Sequence, residues 1–243
     1  MSENTLTIDG KPVHFKDGDT IMEAAIRAGI YIPHLCHDPE LKPQGNCKMC
    51  EVKVNGRNCS ACTFPAAEGQ KVLNNIKELN ENRRIIVQML FVEGNHLCPG
   101  CEKSGNCKLQ AIAYSVGMME YRFPLIYPKR EMDTSHPDIL LDRNRCIFCE
   151  MCVRAGREVD GKEVFAISGR GIGNHLIVNS PSGLLKDSLL EVTDKAANVC
   201  PVGAIIIKRH GFEIPIGQRI YDKKQIAEVS VATEKVLEEK VHG

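Results

Sequence analysis

The chain has 243 residues, of which 43% are hydrophobic, and its 31 basic and 31 acidic residues give a net charge of zero. This composition is typical of a globular protein of one or two domains, and the charge balance gives no indication of a nucleic-acid partner. No apolar stretch is long enough for a transmembrane segment, and the N-terminus lacks the basic start and apolar core of a secretory signal. We therefore expect a cytoplasmic protein that binds no nucleic acid.

The first predicted module covers residues 1–75. Apolar residues alternate on both sides of Asp9-Gly10, which predicts a β-hairpin. A helix that starts at Thr20 or at the residue before it, and ends at Gly29, follows the hairpin. Hairpin, helix, a loop with cysteines and a further strand predict a small α+β fold of the β-grasp type.

Cysteines are the most informative residues of the chain, which has twelve of them. In a cytosolic protein, grouped cysteines bind metal or do chemistry more often than they form disulfides. The first module supplies four, which we call the first group: Cys36, Cys47, Cys50 and Cys62. An all-thiolate set suits an iron–sulfur cluster, and Gly45 and Gly56 favour [2Fe–2S] because glycines let backbone N–H groups approach sulfur. A four-cysteine zinc site is the alternative.

The second predicted module covers residues 76–120. A helix over residues 76–94 and a second, short helix enclose a loop with one histidine and three cysteines, the second group: His96, Cys98, Cys101 and Cys107. A four-ligand cluster needs one ligand more than these three thiolates supply, and imidazole ligates iron in Rieske centres. We predict that His96 is the fourth ligand of a [4Fe–4S] cluster.

A proline-containing linker, residues 121–137, precedes the third predicted module at residues 138–210. This module carries the third group: Cys146, Cys149, Cys152 and Cys200. Three cysteines at intervals of three, with a distant Cys-Pro as the fourth ligand, are typical of a [4Fe–4S] cluster, whereas zinc sites use two separated pairs. We expect the three closely spaced cysteines on a helix, two short strands after them, and a turn at residues 169–175. Cys59 remains as a buried or free thiol.

The C-terminal tail, residues 211–243, contains a predicted helix. Ile226, Val229, Val236 and Leu237 recur at helical spacing on one face. This face is expected either to pack against the third module or to contact another subunit.

Three motifs together resemble a family of redox proteins. They are "GNCKMCEVKV" with "CTFP", "NHLCPGCEKSGNCKLQ", and "CIFCEMC" paired with "NVCPVGAI". In this order they are similar to the N-terminal regions of the large iron–sulfur subunit of respiratory complex I, of iron-only hydrogenases and of NAD-linked formate dehydrogenases. Over nearly the whole chain, the sequence resembles the small diaphorase subunit of NAD-reducing nickel–iron hydrogenases.

The resemblance implies an α+β protein with an N-terminal [2Fe–2S] ferredoxin-like domain, a small helical cluster-binding module and a C-terminal [4Fe–4S] ferredoxin-like module. It implies one [2Fe–2S] cluster on the first group, two [4Fe–4S] clusters on the second and third groups, and no substrate-converting site. The chain would relay electrons between a flavin-containing NAD(H)-binding diaphorase subunit and the small and large subunits of a nickel–iron hydrogenase, within a hydrogen:NAD oxidoreductase.

One position departs from the family. In complex I and iron-only hydrogenases the ligand histidine lies four residues before the first cysteine of the second group. Here that position is Gly94, and His96 lies two residues before Cys98.

Three other functions stay open at this point. The chain could serve as the iron–sulfur subunit of a NAD-linked formate dehydrogenase, or as a free ferredoxin-like carrier. A zinc-stabilised interaction protein without redox function is the third, although the spacing of the third group weighs against zinc.

Overall fold

The computed structural model describes residues 4–242, with side chains as far as residue 237. The first module contains one helix and a five-stranded sheet, which are β1 (Thr5–Ile8), β2 (Lys11–His14), α1 (Ile21–Arg27), β3 (Glu51–Val54), β4 (Arg57–Ser60) and β5 (Lys71–Leu73). The strand order is β2-β1-β5-β3-β4; β1 and β5 are parallel, and the other neighbours are antiparallel. This sheet with α1 packed on it is the predicted β-grasp arrangement.

Local signals in the sequence account for the ends of these elements. Asp9 and Gly10 adopt left-handed φ angles of 50° and 79°, as a tight hairpin turn requires. Thr20 caps α1, because its side chain accepts from the Glu23 N–H while the Glu23 carboxylate accepts from the Thr20 N–H. Gly29 follows α1 with a φ of 69°. The predicted hairpin and helix are confirmed.

The second module consists of two helices, α2 (Lys77–Val92) and α3 (Lys108–Ser115), which pack against each other. The loop between them contains a short 3₁₀ turn at Cys98–Gly100. Both predicted helices are confirmed, and they enclose the loop that carries the histidine and three cysteines.

The third module contains a three-stranded antiparallel sheet, a hairpin and two helices. These are β6 (Met132–Asp133), β7 (Ile139–Asp142), α4 (Met151–Glu158), β8 (Phe165–Ser168), β9 (His175–Val178), α5 (Lys195–Asn198) and β10 (Ile205–Ile207). The two predicted strands and the turn between them are confirmed as β8, β9 and their connection. Part of the predicted linker forms the edge strand β6.

The predicted helix over all three closely spaced cysteines is wrong. Helix α4 begins only at Met151, so that Cys146 and Cys149 lie in the loop before it. Phe148 and Glu150 adopt φ angles of 53° and 58°, a left-handed conformation that a right-handed helix excludes. The loop therefore curls back on itself between the cysteines.

The tail forms two helices, α6 (Ile220–Lys223) and α7 (Ile226–His242). Helix α7 packs against α1 and α3, and it buries Ile226 and Val229. Val236 is 51% exposed, so the predicted apolar face is only partly covered. Within residues 4–242, no helix is both long and apolar enough to cross a membrane.

Candidate metal centres

The first group of cysteines forms two close pairs. Cys36 and Cys47 share a hydrogen bond, which lowers the pKa of Cys36 to about 6 and raises the pKa of Cys47. The Sγ atoms of Cys50 and Cys62 are 3.4 Å apart, and their hydrogen bond raises the pKa of Cys50 and lowers that of Cys62. Each iron of a [2Fe–2S] cluster takes two protein thiolates, so two pairs suit this cluster.

Backbone N–H groups of the first cysteine loop point at sulfur. The N–H groups of Asn46 and Gly45 donate to Cys36 and Cys62, which favours the thiolate form. Gly45 has a φ of 68° and a hypothetical Cβ there would lie 3.3 Å from the Thr63 side chain. Its predicted role is confirmed, whereas Gly56 belongs to the turn between β3 and β4.

The second group lines one cavity, together with Phe91, Arg145 and Gly203. The Nε2 atom of His96 is buried and has no hydrogen-bond partner, while the ring bonds to the Leu90 carbonyl through its other nitrogen. Burial, and secondarily Arg145, lower the pKa of His96 to about 4, so the imidazole is neutral at pH 7. A neutral ring anchored by one nitrogen, with the other free, is the usual state of a metal-ligating histidine.

Two further features shape the second group. Cys107 precedes α3, and its sulfur accepts the N–H groups of Gln110 and Leu109, so the helix N-terminus favours the thiolate. Burial acts in the opposite direction and raises the pKa of the Cys107 thiol to about 12. Gly203 lies so close that an added Cβ would be 3.0 Å from the Cys101 sulfur.

The departure at Gly94 has a geometric explanation. A Cβ on residue 94 would overlap the Nε2 and Cδ2 atoms of the His96 ring. The imidazole of His96 therefore occupies the space that a side chain at position 94 would fill. Glycine at position 94 thus leaves room for the ring of a histidine that lies two residues later in the chain.

We expect Gly94→Ala to displace the His96 ring and to change the EPR signal of the second centre, because the new methyl group and the ring cannot share this space. Gly100→Ala is the matched control, since a Cβ at Gly100 meets nothing within 4 Å in the same loop. EPR of the reduced proteins checks this. A wild-type signal from Gly94→Ala would show that the second centre does not depend on the ring position.

The cysteines of the third group lie around the N-terminal end of α4. Burial raises the pKa of Cys146 to about 11. It also raises the pKa values of Cys149 and Cys152. Neighbouring thiols of the group, Cys200 among them, raise the pKa values further. All four cysteines pack at the same buried core. The N–H groups of Phe148 and Met151 donate to Cys146 and Cys149. The left-handed residues between the cysteines aim these N–H groups at sulfur.

The donor chemistry of the three groups fits iron–sulfur clusters. The first and third groups each supply four thiolates, and the second supplies three thiolates and one imidazole. Both kinds of donor ligate iron in iron–sulfur centres. Among the described residues, no three His, Cys, Asp or Glu side chains form a single-ion site.

Three buried arginines hold the backbone of the cysteine loops, a feature that the sequence analysis missed. Arg83 donates to the carbonyls of Met49 and Glu51 on both sides of Cys50. Arg219 donates to the carbonyls of Glu102 and Ser104 in the second loop, and Arg154 to those of Cys36 and Lys42. All three are at most 2% exposed. An arginine inside a helix or a tail carries no local sequence signal of such a role.

Comparison with known proteins matches three family models to the three modules. They are a 2Fe-2S iron–sulfur cluster binding domain at residues 2–75, the NADH-ubiquinone oxidoreductase-G iron–sulfur binding region at residues 83–122, and a 4Fe-4S single cluster domain at residues 139–207. The chain is thus built from one 2Fe-2S domain and 4Fe-4S binding domains.

The gamma subunit of the NAD-reducing hydrogenase HoxS of Cupriavidus necator is 41% identical over 91% of this chain and 94% of its own length. The chain belongs to the family of NAD-reducing hydrogenase gamma subunits. This gamma-family chain is also similar to a chain in the crystal structure of an NAD+-reducing [NiFe]-hydrogenase in the H2-reduced state. The two chains are 48% identical and superpose with a TM-score of 0.91, and the match covers 96% of this chain and 98% of that one.

Two longer relatives match this gamma-family chain over only part of their own length. The alpha subunit of the NADPH-Fe(3+) oxidoreductase of Geobacter sulfurreducens is 32% identical over 86% of this chain and 24% of its own length. The mitochondrial NADH-ubiquinone oxidoreductase 78 kDa subunit of Candida albicans is 31% identical over 87% of this chain and 29% of its own length. The chain therefore spans about a quarter of these proteins, and their whole-protein activities are not carried over.

Proposed function

We propose that this chain is the electron-relay subunit of a NAD-reducing nickel–iron hydrogenase. Its ligands would be the first group for one [2Fe–2S] cluster, and the second and third groups for one [4Fe–4S] cluster each. When bound, these clusters supply one-electron redox chemistry, while the chain fixes their positions and sets their potentials through hydrogen bonds, burial and charge. The partners would be a flavin-containing NAD(H)-binding diaphorase subunit and the small and large hydrogenase subunits.

The observation that carries this proposal is the contact of the third group with both of the others. Arg154, two residues after Cys152, donates to the Cys36 carbonyl at 2.5 Å. The N–H of Lys108, next to Cys107, donates to the carbonyl of Pro201, next to Cys200, at 2.9 Å. Two buried cores also connect the groups. Cysteines of the first and third groups pack in one core, and cysteines of all three groups pack against the other. A continuous row of redox centres suits a relay rather than separate structural metals.

The residues around the first group also shield it from water. Cys36, Cys50 and Cys62 are each 1% exposed, so the first centre would be shielded from solvent. In such a place hydrogen bonds and charges act more strongly on a potential than at a surface. We include a cytoplasmic location in the proposal, since reducing compartments favour cysteines that bind metal over cysteines that pair as disulfides.

The test is the metal and sulfide content of the anaerobically purified protein, with EPR of the reduced sample. We expect about ten iron and ten sulfide per chain, from one [2Fe–2S] and two [4Fe–4S] clusters, and three distinct signals. Zinc without sulfide would overturn the relay and leave a zinc-stabilised interaction protein. Copurification of molybdenum instead of nickel would assign the relay to a formate dehydrogenase.

A further inference from the structure

Arg154 is buried, and no carboxylate among the described residues pairs with it. It is 1% exposed, and its Nη1 and Nη2 atoms donate to the carbonyls of Lys42 at 2.6 Å and Cys36 at 2.5 Å. Its Nε atom is buried with no hydrogen-bond partner. No carboxylate of the described residues forms an ion pair with it, and the nearby Glu158 instead accepts the Lys42 N–H and pairs with Arg157.

A buried guanidinium of this kind requires a negative charge close by. Removing an unpaired charge from water is costly, and carbonyl oxygens offset only part of that cost. The negative group at this place is the first group of cysteines, because Arg154 holds the carbonyl of Cys36 itself. Four thiolates around a [2Fe–2S] core leave the centre with a net negative charge, and reduction adds one electron more.

We infer that Arg154 is the counter-ion of the first cluster and a positioning residue of the relay, which raises the reduction potential of that cluster and ties it to the helix carrying Cys152. The inference rests on the proposed function. A cation that favours the reduced state more than the oxidised state raises the potential. Electron transfer between clusters held by the first and third groups would make and break no bond, so Arg154 would act only on the potential of the cluster that the first group would hold.

The decisive experiment is a redox titration of the intact complex, followed by the EPR signal of the [2Fe–2S] cluster. Arg154→Gln removes the charge but keeps an amide donor, and we expect its midpoint potential to fall below that of the wild type. Arg154→Lys keeps the charge, and we expect it to restore the wild-type potential. Arg157→Gln is the matched control on the same helix, because that side chain is 55% exposed and lies beside Glu158.

Each outcome decides the inference. Arg154→Gln could lose the [2Fe–2S] signal while Arg154→Lys keeps both the signal and the wild-type potential. That result would also support a requirement for the charge. An unchanged potential in the Gln variant, or loss of the signal in both variants, would reduce Arg154 to a structural role and overturn the inference. A wild-type complex without any [2Fe–2S] signal would instead refute the proposed function, so the two failures are distinguishable.

Discussion

Cys149→Ala is expected to remove one [4Fe–4S] signal and to stop electron flow from H2 to NAD through this subunit. Cys149 is the one buried cysteine of the third group, and its loss would leave one iron without a protein ligand. The third group contacts both other groups, so its loss interrupts the row of centres. Iron analysis should show about four atoms fewer per chain, and H2-dependent NAD reduction should fall to background.

Cys59→Ala is the control for this variant. Cys59 lies on β4 opposite Val52, and burial raises the pKa of its thiol to about 11. It belongs to none of the three groups, so its replacement should change neither the iron content nor the rate. Flavin-dependent oxidation of NADH by an artificial acceptor should survive in both variants if the flavin subunit is intact. If Cys149→Ala loses its cluster but retains the H2-dependent rate, the third centre is not on the path.

Sequence reasoning worked best where one local rule decides the structure. The Asp9-Gly10 turn, the capping of α1 by Thr20 and the close approach of Gly45 to sulfur all depend on residues within a short segment. The three cysteine groups could be predicted for the same reason, since ligand spacing is local apart from Cys200, and their role as ligands stays a prediction. The Cys-Pro signal identified that distant residue.

Long-range packing set the limit of prediction. The spacing of the third group predicted four cysteines that the fold packs at one core, but it predicted the wrong local structure. The left-handed residues Phe148 and Glu150 have no sequence signal of their own. The partners of the buried arginines lie up to 118 residues away in the chain, as in the bond from Arg154 to Cys36. Helix α7 contacts the first module, where the Glu234 carboxylate and the His34 ring form a hydrogen bond of 2.8 Å. Helical periodicity cannot predict such a contact.

His96→Ala is expected to degrade the second cluster, because the iron facing the free Nε2 atom would lose its only candidate protein ligand among the residues lining this cavity. The iron content should fall and the EPR signal of the second centre should change or vanish. His96→Cys should retain a four-ligand cluster at a lower potential, since exchanging thiolate for imidazole raises the potential of Rieske centres and the reverse exchange lowers it.

A histidine remote from the three groups serves as the control for position 96. His175→Ala suits this purpose, because His175 is exposed on β9 and its ring bonds only locally, to the Gly173 carbonyl at 2.9 Å. An unaltered second signal in His96→Ala would show that the fourth ligand is another residue or water. A changed or lost signal in His96→Ala, combined with a preserved signal at lower potential in His96→Cys, would assign the ligand to position 96 despite its displacement from the family position.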